Sequence, residues 1–128
     1  MAYQGVTLKG TIPDNGLTFI LASDIKEEHV GLAVAQDTSA ANTVKLAGDG
    51  DVIVGRLESY EDRTKTEGVV VGAVQLVGGM EMKKSGAAMK VGDSVIGAGN
   101  GLVKAGSAAN GIVVWEVRAD SVIVIKNS

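Results

Sequence analysis

Four stretches decide the fold: residues 43–62 (TVKLAGDGDVIVGRLESYED), 68–79 (GVVVGAVQLVGG), 89–106 (MKVGDSVIGAGNGLVKAG) and 111–126 (GIVVWEVRADSVIVIK). Each is a short run of Val, Ile and Leu cut by glycine or a polar turn. β-branched residues fit the half-buried pleated surface of a sheet, and Gly, Asn and Asp close tight turns. Strands this short, with turns every eight to twelve residues, predict a small all-β barrel or sandwich rather than parallel βαβ units. The span 43–126 holds no cysteine, histidine or proline. It specifies a β-fold clearly and offers little chemistry.

Turn signals set the strand boundaries. Ala47-Gly48-Asp49-Gly50-Asp51 separates strands at 43–46 and 52–57, and 30–36 (VGLAVAQ) reads as an earlier strand. Asn100-Gly101 and Asn110-Gly111 are dipeptides that favour two-residue hairpins. Gly78-Gly79 reads as a turn before a strand at 80–84, and 112–118 with 121–126 reads as a closing hairpin through Ala119-Asp120. Residues 56–67 (RLESYEDRTKTE) carry seven charges in twelve positions. They predict a strand end running into a solvated loop. Asp24 followed by Glu27 matches a capping box, so one helical turn is expected within 23–29 and no longer helix.

Towards the N-terminus, Val6, Leu8, Gly10 and Ile12 alternate with polar residues, as do Leu17, Phe19 and Leu21 after Pro13-Asp14-Asn15-Gly16. Two readings follow: a hairpin, or an extended arm that orders on a partner. The domain organisation is therefore an N-terminal arm or hairpin at 1–22 and a compact β domain at 23–128.

Composition narrows the function. The chain has 128 residues, 18 glycines, one Trp, one Phe, two Tyr, no Cys and a net charge of −3. Val, Ile and Leu each contribute about 1.5–3 kcal/mol when fully buried, so stability must be gathered from many small contacts, and self-association is a natural supplement. Nucleic-acid binding is not expected: it needs several phosphate contacts on one face, and Lys83-Lys84 is the only adjacent basic pair. The first residues, MAYQGVTLKG, lack the basic and apolar regions of a signal peptide. No apolar run reaches the roughly 18 residues of a membrane span. The expectation is a soluble chain with no membrane partner, folded where it is made.

Few residues suggest chemistry. His29, the single histidine, sits among Asp24, Glu27 and Glu28; a metal site usually draws a second imidazole or a thiolate, so a solvated surface role is expected. Ser23 lacks a nucleophile elbow and an orienting third group. Gly97-Ala98-Gly99-Asn100-Gly101 has the wrong spacing for a dinucleotide loop and precedes a strand, which predicts a hairpin tip. Gly48-Asp49-Gly50-Asp51 lacks the remaining ligands of a calcium loop. Ala88-Met89-Lys90 is similar to the modified-lysine tip of biotin and lipoyl carriers, but Val91-Gly92-Asp93 follows at once instead of some twenty residues on. No enzyme activity, metal or cofactor is expected.

Residues 31–126 resemble the capsid cement (head decoration) proteins of tailed bacteriophages. The resemblance is carried, in order, by VGLAVAQ, VKLAGDGDVIVGRLESYED, GVVVGAVQLVGG, VGDSVIGAGNGLVKAG and GIVVWEVRADSVIVI. It covers about three-quarters of the chain; residues 1–22 match no motif of the family. It implies a β-rich virion protein, made in the host cytoplasm, that binds the outer surface of the expanded head. It also implies homotrimers that clamp subunits of the major capsid protein, with the N-terminal segment in the contact. Val6, Leu8 and Ile12 are the expected capsid-contact residues. An alternative from another class is a host- or glycan-binding module, for which Tyr3 and Tyr60 are the candidate platforms. A small hydrolase would need a pocket gathering two carboxylates or His29.

Overall fold

The computed structural model describes residues 16–127, and within them the chain is all-β. The strands are β1 (Gly16–Leu21), β2 (Ala33–Gln36), β3 (Thr43–Leu46), β4 (Gly55–Leu57), β5 (Glu61–Arg63), β6 (Val69–Gln75), β7 (Gly78–Lys83), β8 (Val95–Gly99), β9 (Leu102–Ala105), β10 (Ile112–Val117) and β11 (Ser121–Lys126). The helical content among these residues is one 3-10 turn, Glu27–His29.

Two rings of five strands make up the body. The first runs β1-β3-β2-β4-β6 and closes through antiparallel β1–β6 pairing from Gly16↔Gln75 to Ile20↔Val71. Closure removes the exposed edges that an open sheet leaves behind. β1 also runs parallel to β3 at Ile20↔Thr43 and Leu21↔Val44. The second ring joins the sheet β10-β11-β7 to the hairpin β8-β9. Single bridges close it on both sides, Lys84↔Val103 in parallel and Ser94↔Val113 antiparallel.

Each ring has its own core. Leu21, Ile25, Val34, Val44, Leu46, Leu57 and Val74 fill the first. Met80, Met82, Val95, Val103, Ile112, Val114, Val122 and Val124 fill the second, and Ala33, Ala35, Ala47 and Ile53 join them. β2 is therefore a shared wall. Side chains alternate across a strand, so Val34 enters one core while Ala33 and Ala35 enter the other. A strand buried on both faces has no polar side, which is why residues 33–35 read AVA.

The rings meet along a seam made of main chain. Ala47 N–H donates to Ala33 O at 3.0 Å, Ala33 N–H to Gly101 O at 3.0 Å, and Gly101 N–H to Ala47 O at 3.0 Å. Further along, Gly50 N–H donates to Gly97 O and Gly97 N–H to Asp51 O, both at 2.9 Å. Asn100 (φ 55°) and Gly101 (φ 80°) form the tip of β8–β9, a two-residue turn with both φ positive.

Three details differ from the sequence reading. Glu61–Arg63 is a strand, β5, paired with β6 at Val69–Val71. β6 runs past the end of β4 and offers β5 its free edge, and charged side chains suit such an edge strand. Gly78 and Gly79 are not a turn but the first residues of β7, paired with Lys126 and Ile125. The chain is held there by the buried Gln75, whose amide donates to Val77 O at 2.9 Å and Gly79 O at 3.1 Å. The 3-10 turn is not capped by Asp24: Lys26 N–H donates to His29 Nδ1 at 2.8 Å.

Candidate functional surface

The residues with chemical potential are spent locally. His29 Nδ1 accepts the Lys26 N–H, which leaves the proton of the neutral ring on Nε2. Lys26 Nζ reaches Ser23 O at 3.1 Å. Among the described residues no group of three or more His, Cys, Asp or Glu could hold a metal ion. In the Gly48-Asp49-Gly50-Asp51 turn, Asp51 Oδ2 accepts Gly48 N–H at 2.8 Å and lies 3.5 Å from Lys45 Nζ. Asp49 pairs with Lys104 Nζ at 2.5 Å. The amides of Gly97 and Gly101 are bound to Asp51 O and Ala47 O, so neither is free to cradle a phosphate. Met89 is a buried core side chain, and Lys90 N–H donates to Asp93 Oδ2 at 2.8 Å.

Carboxylates that move in pKa move down. Asp37 is lowered chiefly by the Ser39 hydroxyl, which donates to its Oδ1 at 2.6 Å, and by the Ser39 N–H at 3.0 Å. Asp62 repeats the device with Thr64, at 2.6 and 2.9 Å. Glu61 is lowered by Arg63 at 3.0 Å. These shifts stabilise the ionised form and suit turn capping; a general acid at neutral pH requires the opposite shift.

Two surface clefts are present. One, of about 390 Å³, lies between residues 28–32 and β7 and mixes Glu28, Glu81 and Asp120 with Arg56 and Lys83. Arg56 is paired with Glu58 at 2.6 Å, and Glu81 accepts the Ser121 hydroxyl at 2.5 Å. The other, of about 300 Å³, is lined by small loop residues that include Asp93, Ser107 and Asn110. Neither gathers a nucleophile, a base and an orienting group.

The informative feature is apolar. Seven large hydrophobic side chains among the described residues are exposed: Leu17, Val30, Val52, Val91, Val113, Trp115 and Val117. Three of them lie on β10, and Trp115 is 55% exposed. Val91 joins them, because Gly92 N–H donates to Val114 O at 2.9 Å and Val114 N–H to Asp93 O at 2.9 Å. Trp115 is the extra residue of a β-bulge: the β10–β11 register jumps from Val114↔Val124 to Glu116↔Ile123. Bulges re-aim side chains, and this one sets the single tryptophan on the surface.

Of the residues singled out from sequence, Val6, Leu8, Ile12 and Tyr3 lie outside the described residues. Tyr60 is half-buried against the first core, so its ring is not a free platform. The β10 surface was not anticipated; its sequence signal is a Trp between two valines at period two. Comparison with known proteins finds no matching family, no matching curated protein and no matching solved structure.

Proposed function

We propose that this chain is a structural protein of a tailed-phage head, which binds the outside of the expanded shell and bridges subunits of the major capsid protein as trimers. The resemblance of residues 31–126 to head decoration proteins motivates this reading. The observation that carries it is the distribution of side chains. Both rings are sealed by small apolar residues, the polar groups are engaged in turns, and the unsatisfied apolar area lies on the surface. Such a body works by contact rather than by catalysis.

DNA packed in a head pushes outward, and each bridge between capsid subunits must break before the shell ruptures. A trimer engages several subunits at once, and multivalent attachment raises avidity without strong individual contacts. Val6, Leu8 and Ile12, ahead of the first ring, form the capsid contact in this proposal. An alternating segment of this kind suits strand addition to a sheet edge of the shell.

Co-sedimentation with expanded, undecorated heads and with unexpanded proheads tests the reading. Saturable binding to expanded heads alone, at a stoichiometry divisible by three, is the expected result; binding to neither particle refutes it. Deleting residues 2–12 should abolish binding and leave the fold intact. The second reading, a glycan- or host-binding module, draws on the exposure of Trp115. The ring is flanked by Val113 and Val117, however, where a sugar site would place hydrogen-bonding groups. Glycan arrays are the experiment to turn to if heads do not bind.

A further inference from the structure

We infer that the outer side of β10, centred on Trp115, is a self-association surface, and that its occupant is the same surface of a second copy of this chain. The inference deepens the decoration reading by naming where copies meet, and its test needs no capsid.

Three observations converge. The first is the concentration of apolar side chains: four of the seven exposed large hydrophobics among the described residues lie on or beside one strand. Single exposed apolar residues are ordinary, whereas a contiguous patch marks an interaction site. The second is the position of Trp115. The cores are built from Val, Ile, Leu, Ala and Met, yet the only tryptophan of the chain is held outside them by a bulge. Tryptophan is the residue most enriched among the few that dominate interface energy.

The third observation chooses the occupant. Beyond Trp115 come Glu116 and Arg118, paired with each other at 2.9 Å and with side chains 45% and 41% exposed. Opposite charges thus stand two residues apart at one end of the apolar patch. A partner carrying one sign of charge would meet repulsion at one of the two. A second copy, placed so that its Arg118 meets Glu116, meets opposite charge at both. The pattern is self-complementary, as contacts between identical subunits must be when both use one patch. Exposed pairs are worth little within a subunit but discriminate partners when desolvated between subunits.

The test uses the full chain in solution. Sedimentation equilibrium over a wide concentration range should show reversible association. Trp115 is its own reporter: its fluorescence maximum should shift to the red on dilution. Trp115→Ser should weaken association by about 30-fold or more, the loss expected of a dominant contact residue, with an unchanged melting temperature. Glu116→Arg and Arg118→Glu should each prevent self-association, and an equimolar mixture of these two variants should restore it. Restoration on mixing cannot come from the intrasubunit pair, which both variants lack. A wild-type chain that stays monomeric with unchanged emission, a Trp115→Ser variant that associates normally, or a mixture that stays apart would each overturn the inference. Head binding is measured separately, so a monomeric chain that still decorates heads refutes this surface and spares the decoration reading.

Discussion

Gly97→Ala is predicted to be among the most damaging single-methyl additions in the chain. Gly97 is buried on β8 at the seam between the rings, with its N–H on Asp51 O and its carbonyl accepting from Gly50, both at 2.9 Å. A Cβ built there would overlap the carbonyl oxygen of Gly48 and lie 3.2 Å from Ala47 Cβ and 3.3 Å from Gly48 C. None of these atoms can rotate away, so β8 itself must move. Overpacking of this kind costs about 1–3 kcal/mol. Displacing β8 also strains two main-chain hydrogen bonds, each contributing about 1 kcal/mol net. The sum is about 3–5 kcal/mol. At about 4 °C per kcal/mol for a domain of this size, the melting temperature should fall by about 12–20 °C. Gly86→Ala is the control: a methyl group there would meet no atom within 4 Å, and the φ of Gly86 is not positive. It should be neutral or stabilising by up to about 1 kcal/mol. Urea unfolding of both variants beside wild type decides the matter. A Gly97→Ala protein within about 0.5 kcal/mol of wild type, below the effect of ordinary core changes, would refute the close seam and the two-ring description that depends on it.

Two further predictions concern the cores and the turns. Ile25→Val in the first core and Ile112→Val in the second should each cost about 0.5–1.5 kcal/mol, and the double variant should be additive within about 0.5 kcal/mol; larger coupling would mean one continuous core. Acidification should release the Asp37 and Asp62 turns. Their folded pKa values lie below the ordinary 3.8, so the stabilisation is present above that pH and is lost as pH falls through the lower folded values. The Ser39 and Thr64 amides should then exchange faster with solvent in acid, and in Asp37→Asn and Asp62→Asn at neutral pH; unchanged protection would remove the capping role.

Local chemistry in the sequence located most strands and could not assemble them. Asn100-Gly101 encodes its own turn because both residues tolerate positive φ, and residues 43–46 and 121–126 carry enough β-branched side chains to be strands wherever they land. Pairing is decided at longer range. β3 and β4 are consecutive, yet they flank β2 instead of pairing with each other. The reason lies in residues 33–35, where alanines on one face and valine on the other allow β2 to be buried from both sides. Gly78-Gly79 has the local chemistry of a turn, and β11 pairs with it as strand. The buried Gln75 amide that secures this crossing is an ordinary polar residue until its neighbours are known.

The surface was legible in composition and hidden in detail. A chain with 3% aromatics and no cysteine points to contact rather than catalysis, but Ile112-Val113-Val114-Trp115 is apolar on both faces. Period-two reasoning cannot say which face is inside when both are hydrophobic. The register shift at Trp115 makes the choice, because the extra residue breaks the alternation where the tryptophan stands. Ile112 and Val114 turn into the second core at 1% exposure each, and Val113 and Trp115 are left in solvent. Such an arrangement leaves apolar area outside that a more polar strand would have avoided. Self-association through β10 accounts for that area, for the bulge that exposes the ring, and for the opposite charges on Glu116 and Arg118 with a single contact.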